Sequence, residues 1–498
     1  MDRDFHFFGT FMAASRAGFS GKEALTIATA AQFVDDCTEA VTHKGRPLNR
    51  NPRQVWVLAG GGYVFTPIIT AVADLNTWAG ASEVDETRQI WMPFHYLPGN
   101  TLSPKDPVVV RRGPAGEALD ALCRPGSEAA RELVNFAVDR YGELSAVDRH
   151  LALMLVGICM HVFADTYGHQ DFAGSASPEL NAPRLGIWRN AGTFTNKGSW
   201  KGRRWIPRKR SPKEIAWPWR VGRGPAAPLT AYSEVPMDAT RVGHGHMGHL
   251  PDVSSIAYEF EPCWSDGKTD TNRNNPEVFL TCFMEMVRAL RAVRAGERFS
   301  FLASDSDADE AFGLDASFFE RVGRAICPTA HEACDRDLYD SGMNLAADTW
   351  FRASEERWGA LVTEVIKPGL RVDMAVYDAT RDAWAAQVKS AGGGEMSVRE
   401  FTGLPFIKWN CAAKAVFAHL FQRLQTPGTR VKVLPFAKTS ACLPSQFHLL
   451  DEIAEFWLPK GRGSGGYYYS DQVARLKLRN RALQRATSPF EIETLFFC

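Results

Sequence analysis

The stretch from Leu151 to Val162 does most to constrain the fold. Leu151, Leu153, Met154, Leu155, Val156, Ile158, Met160 and Val162 leave almost no polar face on the helix that their spacing predicts. A helix that is apolar nearly all round is buried at the centre of a domain. Yet this one runs into His161, Asp165 and His169, at i, i+4 and i+8. At 100° per residue these three spread over only about 80° of the helix. Two imidazoles and a carboxylate on one buried stripe are costly unless something pairs them. A transition metal pairs all three. Imidazole nitrogen and carboxylate oxygen suit zinc, manganese or iron.

Most of the remaining chain is also helical in pattern. Phe5, Phe8, Phe11 and Met12 recur at helical spacing, and Gly18 breaks it. Ser20 with Glu23 forms a capping box for a helix running from Ala24 to about Ala40. Ser127 caps a helix from Glu128 to about Tyr141, and Ser145, with Asp148 behind it, caps the apolar one. Asn275-Pro276-Glu277 opens another, with proline in its first turn. Further helical patterns cover 316–327, 337–366, 376–390, 409–425 and 446–456. Val55-Trp56-Val57-Leu58, closed by Gly60-Gly61-Gly62, is a short apolar run with no assignment. Convincing strand alternation is almost absent, so the expected fold class is mainly α. Residues 1–300 read as a helical metal-binding core with an irregular basic, Trp-rich insertion at 185–230. Residues 301–498 read as a helical C-terminal region.

Composition narrows the function classes. Lys and Arg together number 57, as do Asp and Glu, so no bulk charge implies a polyanionic partner. Acidic residues stand where a signal peptide would carry a basic segment, and no run of about 18 apolar residues appears. The expectation is a chain made in the cytoplasm without stable membrane insertion, with export by a route that needs no cleaved signal left open. Ten cysteines without a C-x-x-C pair read as reduced thiols rather than a disulfide framework or a cysteine zinc site.

Other nitrogen and oxygen ligands accompany the central stripe. Gly243 to Asp252 holds His244, His246 and His249 among glycines, and Asp252 ends it. The bland reading of this tract is a flexible polar loop. The start of the chain carries Asp4 and His6. The doublet Asp35-Asp36 ends an apolar helix, where a carboxylate opposes the macrodipole and a cation would relieve it. The two side chains point about 100° apart, so at most one of them is a shared ligand, and a solvated acidic cap is the bland reading. His95 lies between aromatics and prolines. The set Asp4, His6, Asp35 or Asp36, His95, His161, Asp165, His169, His246, His249 and Asp252 is too large for one metal and suits roughly two or three. Two metals about 3.5–4 Å apart activate a water for in-line displacement at phosphorus, which points to phosphoester hydrolysis. Asp36 or Asp4 is then the group that orients or deprotonates the water.

The segment Gly157 to Asp165 is similar to the H-x3-D helix of zinc-dependent phospholipases C and the related single-strand-specific zinc nucleases. That resemblance implies a mainly α-helical protein with a trinuclear zinc cleft. It also implies the ligand order His6, Asp35 or Asp36, His95, His161, Asp165, His169, then His249 with Asp252. The family's first ligand is a mature N-terminal Trp, for which Asp4 is the stand-in here. Its last pair is spaced H-x3-E/D, whereas here it is His249-x2-Asp252, which leaves 244, 246 and 249 open. The chain also resembles an uncharacterised group of bacterial proteins with an Asp-Phe-His start and an H-x3-D-T-x2-H-Q core.

From Arg189 to Arg223 there are 11 Lys or Arg against one acid, with Trp188, Trp200, Trp205, Trp217 and Trp219 in or beside the run. Lys201, Arg203, Arg204 and Arg208 could hold phosphates while the tryptophans stack on bases or sit at a lipid headgroup boundary. A phospholipid or a nucleic acid is therefore the expected substrate. The alternative, from another class, is a helical interaction module or exported effector scaffold in which the metal is structural.

Overall fold

The computed structural model describes residues 1–38, 56–57, 64–65, 68, 70–71, 87–99, 119–174, 178–181, 194–195, 198–201, 204–207, 242–245, 250–255, 257–259, 262, 264, 272–301, 316–327, 343–366, 369–391, 400 and 403–425. Of these residues 73% are helical and 4% are in strands, so the fold is mainly α.

The chain starts with a π-wound segment, Asp4–Gly9, that continues directly into α1, Thr10–Arg16. Helix α2 spans Gly21–Asp36, and Ser20 and Glu23 cap it reciprocally as the sequence predicts. Helix α3 spans Glu128–Ser145, with the Ser127 hydroxyl accepting from the Ala130 N–H at 3.1 Å. The central helix α4 spans Arg149–Gly168, and here the sequence reading needs correction. Its cap is Asp148, which accepts from the Leu151 N–H at 3.0 Å, whereas Ser145 is the last residue of α3. Helix α5, Asn275–Ala295, carries its proline in the first turn and stops at Gly296 in the left-handed region, φ 72°. Helices α6, Ala316–Ile326, α7, Met343–Val365, α8, Met374–Ala391, and α9, Pro405–Gln425, follow. The helical pattern at 446–456 lies outside the described residues.

Short antiparallel strands were missed in the sequence. β1, Trp56–Val57, pairs with β2, Val64–Phe65, across the glycine run. β3, Phe194–Thr195, β6, Ala257–Glu259, and β7, Asn272–Asn274, form a three-stranded sheet in the order β3-β6-β7. β4, Gly198–Lys201, and β5, Arg204–Pro207, form a hairpin in which Trp200 faces Trp205. The basic segment is thus partly regular, because only two residues separate the paired strands.

Helix α4 sits in the middle, packed by α2, α3, α5 and α9. Among the described residues it is the one helix long and apolar enough to cross a membrane, and it is buried inside the fold. The apolar core runs without a break from Met1 to Leu420, so the helices after residue 300 share the core of those before it. Trp409 of α9 stacks edge-on against Phe33 and donates its indole N–H to the Ala30 carbonyl at 3.0 Å. Trp358 of α7 meets Phe5 beside the π-wound segment, at 6.1 Å between ring centres.

Helices α2 and α4 approach closely at Gly157. A Cβ added there would lie 2.2 Å from the Ile27 carbonyl oxygen and 2.8 Å from the Ala30 Cβ. One turn further along each helix stand His161 and Asp35. This close approach is what lets those two residues meet. Gly157→Ala is therefore expected to destabilise the protein by about 1–3 kcal/mol through overpacking. It should also weaken metal retention, because the two ligand-bearing helices move apart. Thermal unfolding and metal content that match the parent protein would rule out the contact as a constraint.

Candidate metal centre

The centre forms where α2, α4, the two π-wound segments and the 242–255 region converge. His161 and Asp165 lie on consecutive turns of α4, and His169 follows its last residue. His6 sits on the first π-wound segment, and His95 ends the second, Thr87–His95. In the latter, the Tyr96 N–H reaches back five residues to the Trp91 carbonyl at 2.7 Å. π turns recur at functional sites because the wider turn re-aims a side chain.

Three groups, the first two sharing His161, each bring their ligand atoms within 4.8 Å of one another: His6, Asp35 and His161; His95, His161 and Asp165; His169, His244 and Asp252. Asp165 links the first two. Its Oδ1 lies 3.0 Å from His6 Nε2, and its Oδ2 lies 3.1 Å from His95 Nδ1 and 3.3 Å from His161 Nε2. Asp35 Oδ1 stands 3.7 Å from His161 Nε2 and 3.8 Å from His95 Nδ1. Asp252 Oδ1 lies 3.2 Å from His169 Nε2 and 3.3 Å from His244 Nε2. Buried His and Asp residues are thus grouped so that they could hold a metal ion.

Outer contacts orient two of the rings. The Thr70 carbonyl lies 2.7 Å from His95 Nε2, and the His95 carbonyl lies 2.8 Å from His169 Nδ1. Those nitrogens therefore carry the hydrogens, and in the neutral rings the lone pairs of His95 Nδ1 and His169 Nε2 face inward. A carbonyl orienting the far nitrogen is the usual support of a metal-binding histidine. Tyr96 stacks on His169 with ring centres 4.6 Å apart, and its hydroxyl accepts from the His244 N–H at 3.3 Å.

Burial sets the charge states. It lowers His6 to about 3, with His161 adding to the effect, and lowers His161 and His169 to about 4 against the pull of Asp165. These imidazoles are neutral at pH 7, the form that binds metal. Burial pushes Asp165 up, but His169, the Met1 ammonium, His161 and His6 outweigh it and hold the carboxyl well below its usual range. Burial likewise raises Asp252, and His244, the ammonium and His169 overcome it. Asp35 is raised by burial and by Asp165. The Met1 ammonium is disfavoured by burial, yet Asp165, Asp252 and Asp35 lift it to about 11. It lies 2.8 Å from Asp165 Oδ1 and 2.9 Å from His169 Nε2.

Of the expected ligands, His6, His95, His161, Asp165, His169 and Asp252 come together. Asp35 joins them. Asp36 points away, accepting from the Tyr377 hydroxyl and from Gln32 Nε2 at 3.3 Å. Asp4 is not among the clustered residues either. Its buried carboxylate accepts from the Phe5 N–H at 2.8 Å and contacts the hydroxyls of Ser354 and Ser254. Burial, with Asp2 adding, pushes Asp4 up to about 7. The structure therefore places neither acid expected to handle the water, Asp36 or Asp4, beside the histidines. His244 is the member of the histidine-glycine tract seen at the centre, while His246 and His249 lie outside the described residues. Lys201 and Arg204 are cross-strand partners near the turn of the β4–β5 hairpin. Arg203 and Arg208 lie outside the described residues.

Sequence reasoning missed the Met1 amino group, Tyr96, the Thr70 carbonyl and Gly157. Gly157 did leave a signal, since an isolated glycine within a helical pattern often marks close packing.

The fold and centre together define a mainly α-helical protein whose core helices carry a buried histidine–aspartate cluster able to hold metal. The chain belongs to a family of unknown function, DUF6765, whose model matches residues 1–424, a span that includes every residue of the cluster. Comparison with curated proteins and with solved structures gave no match.

Proposed function

We propose that this chain is a metal-dependent hydrolase of phosphodiesters, with roughly two or three divalent ions, zinc foremost, held by the linked groups. One observation carries the reading. His95, whose Nε2 lies 2.7 Å from the Thr70 carbonyl, brings its Nδ1 to 3.1 Å from Asp165 Oδ2 and 3.4 Å from His161 Nε2. Nitrogen and oxygen ligand atoms that converge in a buried site are what a cation would hold together. His161 Nδ1 and His6 Nδ1 are also buried without a hydrogen-bond partner. The donor set therefore fits zinc, manganese or iron. Bound ions would supply an activated water and stabilise charge on the phosphoryl oxygens.

The chain's own residues divide the remaining work. Asp165, 1% exposed, ties the first two groups together, whereas Asp35 is 30% exposed. Asp35 is thus the group on hand to orient a water and accept its proton, the role sequence reasoning gave to Asp36 or Asp4. The basic hairpin with Lys201 and Arg204, and Arg203 and Arg208 beside it in sequence, would engage the substrate, a phospholipid or a nucleic acid.

The low exposure of most ligands favours a second reading, a closed structural site in an interaction module. Elemental analysis together with a screen of generic phosphodiester substrates separates the two. Two or more ions per chain, with hydrolysis that stops on chelation and returns with metal, are expected for the enzyme. A single tightly held ion without hydrolysis would establish the structural reading instead.

A further inference from the structure

Two of the three groups are carried mostly by helices, but the third is not. His244 and Asp252 lie in the described turns 242–245 and 250–255, neither of which is helical. What holds Asp252 in place is visible one element away. Asn275, the first residue of α5, is 3% exposed. Its side-chain Nδ2 donates to the Leu250 carbonyl at 2.8 Å and the Val253 carbonyl at 2.9 Å, with the Pro251 carbonyl at 3.5 Å. Three carbonyls around one amide settle which end is NH2, and its two hydrogens match the two short bonds. The acceptors bracket Asp252 on both sides in sequence.

We infer that Asn275 is a positioning residue that fixes the loop bearing Asp252, so that His169, His244 and Asp252 can hold an ion of their own. The inference rests on the metal-binding part of the proposal above and adds that this ion is separable from the others. Without the amide, the buried Leu250 and Val253 carbonyls lose this donor and the loop must rearrange to satisfy them. Asp252 then leaves His169 and His244. The helix-borne groups that include His6, Asp35, His95, His161 and Asp165 do not depend on this loop.

The test uses the full chain loaded with Co(II), whose visible absorption reports ligand number and type at each ion. Asn275→Ala and the near-isosteric Asn275→Asp should each weaken one equivalent by about 10–100-fold, as for other residues that support a ligand. The remaining equivalents should be unchanged. The lost part of the spectrum should match that lost in Asp252→Asn, and should differ from that lost in His6→Ala. A general loss of stability would weaken all equivalents together and would overturn the inference. Should Asn275→Ala not fold, Asn275→Ser, which keeps one donor hydrogen, permits the same comparison. A parent protein that binds Co(II) alongside an Asn275 variant with identical stoichiometry, affinity and spectrum would overturn the inference and leave the metal centre standing. A parent protein that binds no metal would overturn both.

Discussion

Asp165→Ala is expected to lose at least one bound ion and to be much less stable than the parent protein even without metal. The carboxylate is 1% exposed and receives the Met1 ammonium at 2.8 Å. It also approaches His6, His95, His161 and His169 within 3.5 Å. Removing one partner of a buried ion pair strands the other charge, at a cost of about 3–5 kcal/mol. That is a large share of the stability of an ordinary domain, about 5–15 kcal/mol. Asp165→Asn keeps the shape and loses the charge. It should therefore lose metal in the same way while filling the space that alanine leaves open. Calorimetry of the metal-free proteins, with elemental analysis after dialysis, checks both effects. An alanine variant with parental metal content and unfolding temperature would remove Asp165 from the centre.

Acidification is expected to destabilise the protein between pH 6.5 and about 4. Four histidines set this window. Burial holds His6 near 3 and His161, His169 and His419 near 4, against an ordinary value of 6.5 that they regain on unfolding. Above 6.5 both states leave them neutral. As pH falls through 6.5, the unfolded chain takes up protons that the folded one refuses, so stability drops. Asp4, at about 7, and Asp35, also raised, oppose this, because the folded state protonates them where the unfolded state does not. The four histidines outnumber the two acids, so the net effect is a loss of stability as pH falls, about 1.4 kcal/mol per pH unit for each net proton. Bound cations keep Asp35 ionised, which removes that opposition and steepens the slope. Burial disfavours the Met1 ammonium, but its acidic neighbours raise it from 8.0 to about 11, so its contribution is complete below pH 8 and fades through 11. Urea unfolding from pH 5 to 8, with and without a chelator, measures both slopes. A flat profile in both conditions would show that these histidines titrate alike folded and unfolded.

The parts of the fold legible in the sequence are those that depend on local rules. The Ser20–Glu23 box, the Ser127 cap and the Pro276 start are each fixed within four residues, and each appears in the structure. The α4 stripe was legible for the same reason, since helical geometry alone puts His161, Asp165 and His169 on one side. Long-range choices were less accessible. Asp35 rather than Asp36 faces the histidines because Tyr377, more than three hundred residues away in sequence, takes Asp36. Asp4 reads like a ligand from its neighbour His6, but the π-wound turn and Ser354 draw it elsewhere. The strands escaped notice because two to four residues give too little alternation to register.

The buried thiols of Cys37, Cys123, Cys159, Cys282 and Cys327, and the partly buried one of Cys411, are all unbridged, so among the described residues no covalent cross-link closes the chain. The histidine–aspartate cluster gathers residues as far apart as His6 and Asp252 at one place. A cation shared by His6, Asp35 and His161 would pin together three points of the backbone separated by long loops. In polymer terms it would act as a reversible staple, removing freedom chiefly from the unfolded ensemble. Closing a loop of about a hundred residues is worth about 4.7 kcal/mol by the chain-entropy argument used for disulfides. Such a staple survives in a reducing compartment, where a disulfide would not, and it can be withdrawn by competition for the ion rather than by electron transfer.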